Sequence, residues 1–329
     1  MSFSSNVKEE LLRASSAGME EFFPSVYGDD EESAPVTEEE LACQKHAERY
    51  GMFLFSRDFG LSDMGLKTDL EGVAQKYATI CGELTGRPVK VETSAAGKHK
   101  VFLENQQDRE AVLDAFGHTG KEVSKRLNRA NLEYESCNAA FLRGAFLSCG
   151  TITDPEKDYH IEFVVSTKIL CNDLIQFFRE LGMNPKYVQR NGSHIVYFKD
   201  SESVEDLLTL MGATESSLEL MGTKMYKSVR NKVNRKMNFE NANASRSFNA
   251  AYKQIEAIRY IESQKGLAYL EDDLRELAIL RMNNEDYSLQ ELADNLAVPL
   301  SKSGVNHRLK KILEMAEDLR LAEERKNKE

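Results

Sequence analysis

The feature that most constrains the fold is an internal repeat, in which the same order of elements occurs twice. An apolar helix that opens at Cys43 has a counterpart that opens at Cys137, 94 residues later. Each is followed by a strand-like stretch, a helix, a hairpin and a closing helix. A shared order of elements at a near-constant offset is typical of duplication. The repeat therefore predicts two αββαββα units, residues 41–130 and 131–222, that pack about a pseudo-two-fold axis through their first helices.

Charge is unevenly placed along the chain. The 329 residues are enough for two or three domains, and the net charge of −11 argues weakly against nucleic-acid binding. Seven acids and no base lie between Asp29 and Glu40, however, and six bases and no acid lie between Lys224 and Lys236. Because local fields matter more than the net charge, binding of nucleic acid by the basic segment remains an open possibility.

The sequence of residues 1–40 predicts a helix near Val7 to Ala14, followed by a solvated acidic loop.

Several classes of protein are disfavoured by the sequence. The five cysteines are odd in number and form no CxxC pair, which argues against a zinc ribbon and a disulfide framework. The start, MSFSSNVKEELLR, carries early acids and no apolar core, so we expect no signal peptide. Since no run approaches 18 apolar residues, we expect no membrane span. The prediction is a cytoplasmic, nucleoid-associated protein with no metal or cofactor.

A second pattern, in residues 288–312, predicts two short helices separated by a break. Pro299 prevents continuation of the first helix, and Ser301 is suited to cap the second. The apolar positions are Leu289, Leu292, Ala293 and Leu296 in the first helix and Val305, Leu309 and Ile312 in the second. This pattern is typical of a DNA-reading helix-turn-helix. An ordinary helical hairpin with a solvated basic face is the alternative.

The outward face of the second helix offers polar and basic side chains. Lys302 can pair with guanine, and Asn306 can bond adenine through two contacts. Lys310 and Lys311 lie further along and are expected to meet phosphates. The predicted DNA contacts of this helix are Ser301, Lys302, Ser303, Asn306, His307, Arg308, Lys310 and Lys311.

Residues 223–245 predict a basic linker before a helical domain at residues 246–329. Bases contact phosphates, and asparagines bond to phosphates or base edges, so the linker is predicted to lie against a duplex. A solvated, helix-prone connector is the alternative. The predicted contacts are Lys224, Lys227, Arg230, Asn231, Lys232, Asn234, Arg235 and Lys236.

The first helix of the second repeat contains LRGAFLSCG, residues 142–150, which resembles a degenerate LAGLIDADG motif. That motif forms the helix between the two halves of single-chain homing endonucleases, and Gly144 and Gly150 occupy its glycine positions. In those nucleases the penultimate residue is an acid that binds a catalytic divalent metal; here it is Cys149. The first copy, GMFLFSR, has no acid there either, because Asp58 lies beyond the helix end. Two metal-bound carboxylates are required for that hydrolysis, so the chain is predicted not to be an enzyme.

Over nearly its full length the chain resembles the WhiA family of bacterial transcription regulators. The resemblance rests on SFSSNVKEEL, FLRGAFLSCGTITDPEKDYHIEF, RNKVNR, NFENANASRS and SKSGVNHRLKKI. It implies an α+β fold, with a duplicated LAGLIDADG-like αββαββα domain lacking nuclease activity. An all-α helix-turn-helix domain similar to region 4 of sigma factors follows. The spacing from Val298 to Val305 is longer than in the sigma-type pattern and predicts a longer turn.

The predicted function is sequence-specific transcription regulation, linked by the resemblance to sporulation or cell division. An RNA-binding or scaffolding protein is the alternative, since LAGLIDADG-like scaffolds can act on RNA. A catalytic nuclease is disfavoured by the absent acids. The expected partner is double-stranded DNA, with RNA polymerase or another transcription regulator as a further candidate.

Overall fold

The structure, a computed structural model, describes residues 2–16 and 37–326 and consists of two compact units, Met1–Lys227 and Ser228–Glu329. Helix α1 (Phe3–Ser16) lies where the sequence predicts an N-terminal helix. Most of the predicted acidic loop lies outside the described residues. Its last three acids, Glu38, Glu39 and Glu40, form the first turn of the next helix.

The first unit contains the predicted duplication, so the αββαββα fold is confirmed. The first copy consists of α2 (Glu38–Leu54), β1 (Asp58–Phe59), β2 (Met64–Thr68), α3 (Glu71–Thr85), β3 (Glu92–Thr93), β4 (His99–Phe102) and α4 (Gln106–Ala115). The second consists of α5 (Cys137–Cys149), β5 (Gly150–Ile152), β6 (Ile161–Val165), α6 (Lys168–Glu180), β7 (Lys186–Arg190), β8 (Ser193–Phe198) and α7 (Ser201–Met211).

Each copy forms its own four-stranded sheet with the same strand order. The orders are β1-β2-β4-β3 and β5-β6-β8-β7, and all the pairs described are antiparallel. In the second sheet, Asn191 and Gly192 form the turn between β7 and β8 with φ of 50° and 78°. Two consecutive positive φ angles are typical of a type I′ hairpin turn, and glycine adopts such an angle without strain.

The first helices of the two copies, α2 and α5, cross at backbone distance. A Cβ added at Gly144 would lie 1.9 Å from the carbonyl oxygen of Glu48, and one added at Gly51 would lie 2.2 Å from that of Phe141. Glycine is therefore needed at both positions, one on each helix. Equivalent residues meet where the two helices begin, since the Sγ atoms of the free cysteines Cys43 and Cys137 are 2.6 Å apart.

A buried polar cluster lies beside this crossing. The Arg143 side chain is 1% exposed; its Nη1 atom is 3.3 Å from Glu48 Oε2, and its Nε–H donates to the Met211 carbonyl oxygen at 2.7 Å. Glu48 also accepts a hydrogen bond from Ser15 at 2.8 Å and forms an ion pair with Lys76. Each buried charge thus has a partner, which offsets the cost of removing it from water.

The second unit is helical throughout its described elements. Helix α8 (Thr214–Lys265) begins in the first unit, and Gly266, with φ of 74°, follows its end. A 3₁₀ turn then precedes α9 (Asp272–Asn283), α10 (Leu289–Asp294) and α11 (Lys302–Lys326). The segment predicted as a linker, residues 223–245, is helical and lies within α8. The buried core of this unit includes Ile258, Ile261, Leu274, Leu277, Leu292, Leu296, Val305, Leu309 and Ile312.

Among the helices described, none combines the length and apolar character needed to cross a membrane.

Candidate nucleic-acid interface

Helix α10 begins with a reciprocal pair of hydrogen bonds. The Glu291 N–H donates to Ser288 Oγ at 3.3 Å, and the Ser288 N–H donates to Glu291 Oε2 at 2.7 Å. These backbone and side-chain hydrogen bonds with Ser288 lower the pKa of the Glu291 carboxyl. Such a capping box satisfies two backbone donors that a helix start leaves unpaired. The short helix is therefore held in place by its own sequence as well as by packing.

The turn between α10 and α11 is anchored to the neighbouring helices. The Leu300 N–H donates to the Ala293 carbonyl oxygen at 3.3 Å, and the Ala297 N–H donates to Glu276 Oε1 of α9 at 2.7 Å. Ser301 Oγ accepts a hydrogen bond from the Gly304 N–H at 3.1 Å, so the serine caps α11 as its sequence position predicts. These bonds determine where α11 begins.

Packing then sets the rotation of α11 about its axis. Val305, Leu309 and Ile312 are at most 1% exposed and pack in the same core as Leu292 and Ala293. Three buried positions at helical spacing leave the opposite face to solvent. The apolar pattern of residues 288–312 therefore predicts the buried side of both helices correctly.

The opposite face of α11 is the candidate reading surface. Its exposed side chains are Lys302, Ser303, Asn306, His307 and Lys310. Within residues 2–16 and 37–326, none of these five side chains has a hydrogen bond or ion pair. Lys302, Asn306 and Lys310 are four residues apart, so they form one row along the helix. The reading surface combines donors and acceptors with two unpaired positive charges.

The other two predicted bases of α11 have intramolecular partners. Arg308 Nε is 3.2 Å from Asp273 Oδ2, and Lys311 Nζ is 2.8 Å from Glu271 Oε2. The hydrogen bond to Glu271 raises the pKa of Lys311. Because both acids lie at the start of α9, these pairs connect α11 to that helix. The sequence pattern does not reveal these acids as partners, since they lie more than 30 residues away from the bases.

The predicted basic residues of α8 fall into two groups. In the first unit, Lys224 Nζ is 3.1 Å from Glu205 Oε1, and Lys227 Nζ donates to the Pro155 carbonyl oxygen at 2.7 Å. In the second unit the side chains are exposed, with Lys236 Nζ 4.0 Å from Glu240 Oε1. The exposed group, called the α8 basic segment below, consists of Arg230, Asn231, Lys232, Asn234, Arg235 and Lys236.

The place of a LAGLIDADG nuclease site is the ends of α2 and α5, and its chemistry differs here. Cys149 ends α5, and burial raises the pKa of its thiol to about 12, so the thiol is neutral at physiological pH. Ser56 follows α2 and donates its hydroxyl to the Phe53 carbonyl oxygen at 2.7 Å. Asp58 lies in β1, paired with Gly65 of β2. Throughout the described part of the chain, no three His, Cys, Asp or Glu side chains converge in a metal-binding group.

Sequence reasoning missed Gly51, the second glycine of the helix crossing. A signal was present, since Gly51 lies in the first copy 93 residues before Gly144, close to the repeat offset. Gly150, which sequence reasoning did single out, caps α5, and a Cβ there would lie 2.1 Å from the Phe146 ring. Both glycines permit approaches that any larger residue would prevent.

The fold and the geometry of α10 and α11 define a class of protein: a duplicated LAGLIDADG-like domain followed by a helix-turn-helix domain. Residues 138–230 match the family model described as the WhiA LAGLIDADG-like domain, and residues 233–316 match that of the WhiA C-terminal HTH domain. The chain belongs to the WhiA family, which confirms the resemblance seen in its sequence.

Curated relatives share this similarity to different extents. A protein of Clostridium novyi is 33% identical over 97% of this chain and 99% of its own length. A protein of Clostridium beijerinckii is 46% identical over 70% of this chain and 75% of its own. For a protein of Clostridium botulinum (strain Eklund 17B), the match is 45% identical over 60% of this chain and spans 63% of that relative, less than two thirds of its length. Each of the three is named a probable cell division protein WhiA.

A solved structure has the same fold. The full-length DUF199/WhiA crystal structure from Thermotoga maritima matches 97% of this chain and 99% of that one, with a TM-score of 0.50 and 21% identity. At this identity the comparison establishes the shared architecture of the two proteins.

Proposed function

We propose that the protein is a sequence-specific DNA-binding transcription regulator in which α11 reads the major groove. The observation that carries this proposal is the reading surface of α11, where Lys302, Asn306 and Lys310 are exposed in one row without intramolecular partners. Lysine and asparagine are residue types that pair with guanine and adenine in that groove. An ordinary helical hairpin with a solvated face does not need lysine and asparagine in one exposed row. The arrangement therefore favours DNA recognition.

Phosphate contacts are proposed for Lys310, at the far end of the row, and for the remaining predicted residues. Ser301 and His307 flank the row, and the α8 basic segment offers exposed charges in the same unit. Arg308 and Lys311 would reach phosphates only by leaving Asp273 and Glu271, and Lys224 and Lys227 have partners in the first unit. We therefore rank these four below the unpaired bases as contacts. Phosphate binding adds affinity without sequence preference.

The cellular role is proposed from the relatives. Their names refer to cell division, and we propose that this chain regulates genes of that process, or of sporulation, at the nucleoid. RNA polymerase or a second regulator would then be a protein partner. The sequence resemblance to the WhiA family, which implies a helix-turn-helix similar to region 4 of sigma factors, supports this proposal.

We further propose that the LAGLIDADG-like domain has no nuclease activity, because Cys149 replaces the acid that would hold a metal. The full chain incubated with supercoiled plasmid and Mg²⁺ or Mn²⁺ is expected to leave the plasmid intact. Metal-dependent nicking by the wild type that is lost in Asp58→Asn would contradict this expectation.

The experiment that tests DNA recognition against RNA binding uses the full chain. Its affinity for fluorescent genomic duplex fragments is compared with that for structured RNA of equal length, at one salt concentration. We expect tighter binding to a subset of duplexes than to any RNA. Equal or tighter binding to RNA, unaffected by Asn306→Ala, would support the RNA-binding alternative instead.

A further inference from the structure

The first unit contains a cavity that the proposed function does not use. Its volume is about 850 Å³, and it lies where the start of α1 meets the ends of α2 and α5. The ends of β2 and β6 and the turn between β7 and β8 complete its wall. The volume falls within the range of small-molecule sites in proteins.

The charge of this cavity is positive. Lys8, Arg57 and Lys67 line it, and Asp69 is the one acid among the lining residues that the structure describes. The Asp69 carboxylate already has a basic neighbour outside the cavity, since its Oδ1 atom is 3.7 Å from Lys98 Nζ. Three bases against one acid that is already paired create a field that attracts anions.

Lys8 is the base that most needs an anion. Its Nζ donates to the Leu147 carbonyl oxygen at 3.1 Å and lies 5.7 Å from the centre of the Phe146 ring. In the described part of the chain, no carboxylate lies within ion-pair distance of this ammonium. Burial lowers its pKa to about 8, although Cys149 and Asp69 act in the opposite direction. A half-buried ammonium with one carbonyl acceptor is under-compensated, and a bound anion would supply the missing charge.

Hydrogen-bond donors complete the site. Ser2 and Ser5 begin α1, and their hydroxyl oxygens are 2.8 Å apart. The Ser5 N–H donates to Ser2 Oγ at 3.2 Å, so Ser2 caps α1, and the positive dipole end of the helix favours a phosphate there. Across the cavity, Ser193 follows the turn formed by Asn191 and Gly192. Hydroxyl and N–H donors with basic side chains are the groups that bind phosphate oxygens.

We propose that this cavity binds a phosphate-bearing ligand, with the phosphate held between Lys8 and Arg57. The proposal is independent of α11, because it rests on residues of the first unit alone. The phosphate can belong to a small free molecule of nucleotide size or to the backbone of bound DNA. The chemistry recognised is the same, and the experiment distinguishes the two sources.

The probe is inorganic tripolyphosphate, added to the full chain at constant ionic strength and followed by calorimetry and thermal unfolding. We expect saturable binding with a rise in melting temperature. Lys8→Met and Arg57→Gln are each expected to weaken binding about tenfold or more, the loss of one charge-assisted contact. The matched control is Lys121→Gln, an exposed base outside the cavity, which should bind as the wild type does.

Folding of the variants is checked by the same unfolding curves. Without ligand, Lys8→Met should melt at or above the wild-type temperature, because the substitution removes an under-compensated charge. Arg57 is exposed, so its substitution should leave the melting temperature unchanged. A wild type that does not bind tripolyphosphate, or cavity variants that bind it as tightly as Lys121→Gln, would overturn the proposal.

Binding measurements with duplex DNA identify the source of the phosphate. If the ligand is a free molecule, Lys8→Met and Arg57→Gln lose tripolyphosphate binding and keep the wild-type affinity for duplex DNA. If the phosphate belongs to DNA, the same variants lose duplex affinity as well, and tripolyphosphate competes with the duplex in the wild type only.

Discussion

Gly144 lies so close to Glu48 that a Cβ at the glycine would be 1.9 Å from the glutamate carbonyl oxygen. The two residues belong to the two copies of the repeat, on α5 and α2. No side-chain adjustment can relieve this contact, because the neighbouring atom is backbone. The glycine therefore sets the distance between the two halves of the LAGLIDADG-like domain.

Gly144→Ala is expected to destabilise the first unit by about 3 kcal/mol, since the helices must separate to admit a methyl group. Urea unfolding followed by circular dichroism measures the change in the free energy of unfolding. Gly222→Ala in α8 is the matched control, because among the described residues nothing beyond its chain neighbours and its own helix backbone lies within 4 Å of its Cβ position. It should be neutral or stabilising by up to about 1 kcal/mol. Equal stability of the two variants would show that the helix crossing is looser than described.

The duplicated fold could be predicted because its signals are local and repeated. Gly97 and Gly192 each have positive φ at the tip of the second hairpin of their copy, and the sequence places them 95 residues apart. A turn glycine and the residues that flank it predict the same local structure in both copies. The same holds for Ser301, whose capping role depends on the three residues that follow it.

The course of α8 was harder to predict than its helical character. Residues 223–245 have a composition of bases and asparagines that resembles a linker, yet neither Pro nor Gly occurs between Thr223 and Lys265. With no residue to break it, the helix continues. The partners of Arg308 and Lys311 and the walls of the cavity depend on segments remote in sequence. Periodicity alone does not reveal which remote segments meet.

The α8 basic segment should contribute to DNA affinity through phosphates. Arg230→Ala combined with Arg235→Ala is expected to weaken binding to all duplexes and to lower the slope of log affinity against log salt by about 2. Fluorescence anisotropy over a salt series measures the slope. Lys121→Ala with Lys186→Ala removes the same charge from exposed positions elsewhere and should leave the slope unchanged. An equal effect of the two double variants would indicate a general charge effect rather than a contact.

Tripolyphosphate binding to the cavity should depend on pH through Lys8. Burial lowers the pKa of the free ammonium to about 8, and a bound anion favours its protonated form. We therefore compare the wild-type affinity for tripolyphosphate with that of Lys8→Met at each pH. The wild-type advantage should be retained below pH 8 and should fall as the pH rises through 8. The other ionisable side chains that line the cavity are Asp69, Arg57, Lys67 and Cys149, and burial raises the pKa of the Cys149 thiol to about 12, above the range of the measurement. Calorimetry from pH 6.5 to 9.5 tests this, and a constant wild-type to Lys8→Met affinity ratio would exclude Lys8 as the ligand-binding group.

Sequence preference is expected to reside in Asn306, and non-specific affinity in Lys310. Asn306→Ala should cost about 1–3 kcal/mol on the preferred site and little on random DNA. Lys310→Ala should weaken both alike, because phosphates are the same in every sequence. Both side chains are exposed, so neither substitution should unfold the domain. Unfolding curves of the two variants check that the fold is retained.

The most direct measurement is a selection of random duplex oligonucleotides by the full chain, repeated with Asn306→Ala and with Lys310→Ala. We expect that the wild type and Lys310→Ala enrich one motif containing an adenine, and that Asn306→Ala loses the preference at that base pair. Failure of the wild type to enrich any motif, or enrichment of the same motif to the same degree by Asn306→Ala, would contradict sequence reading by α11.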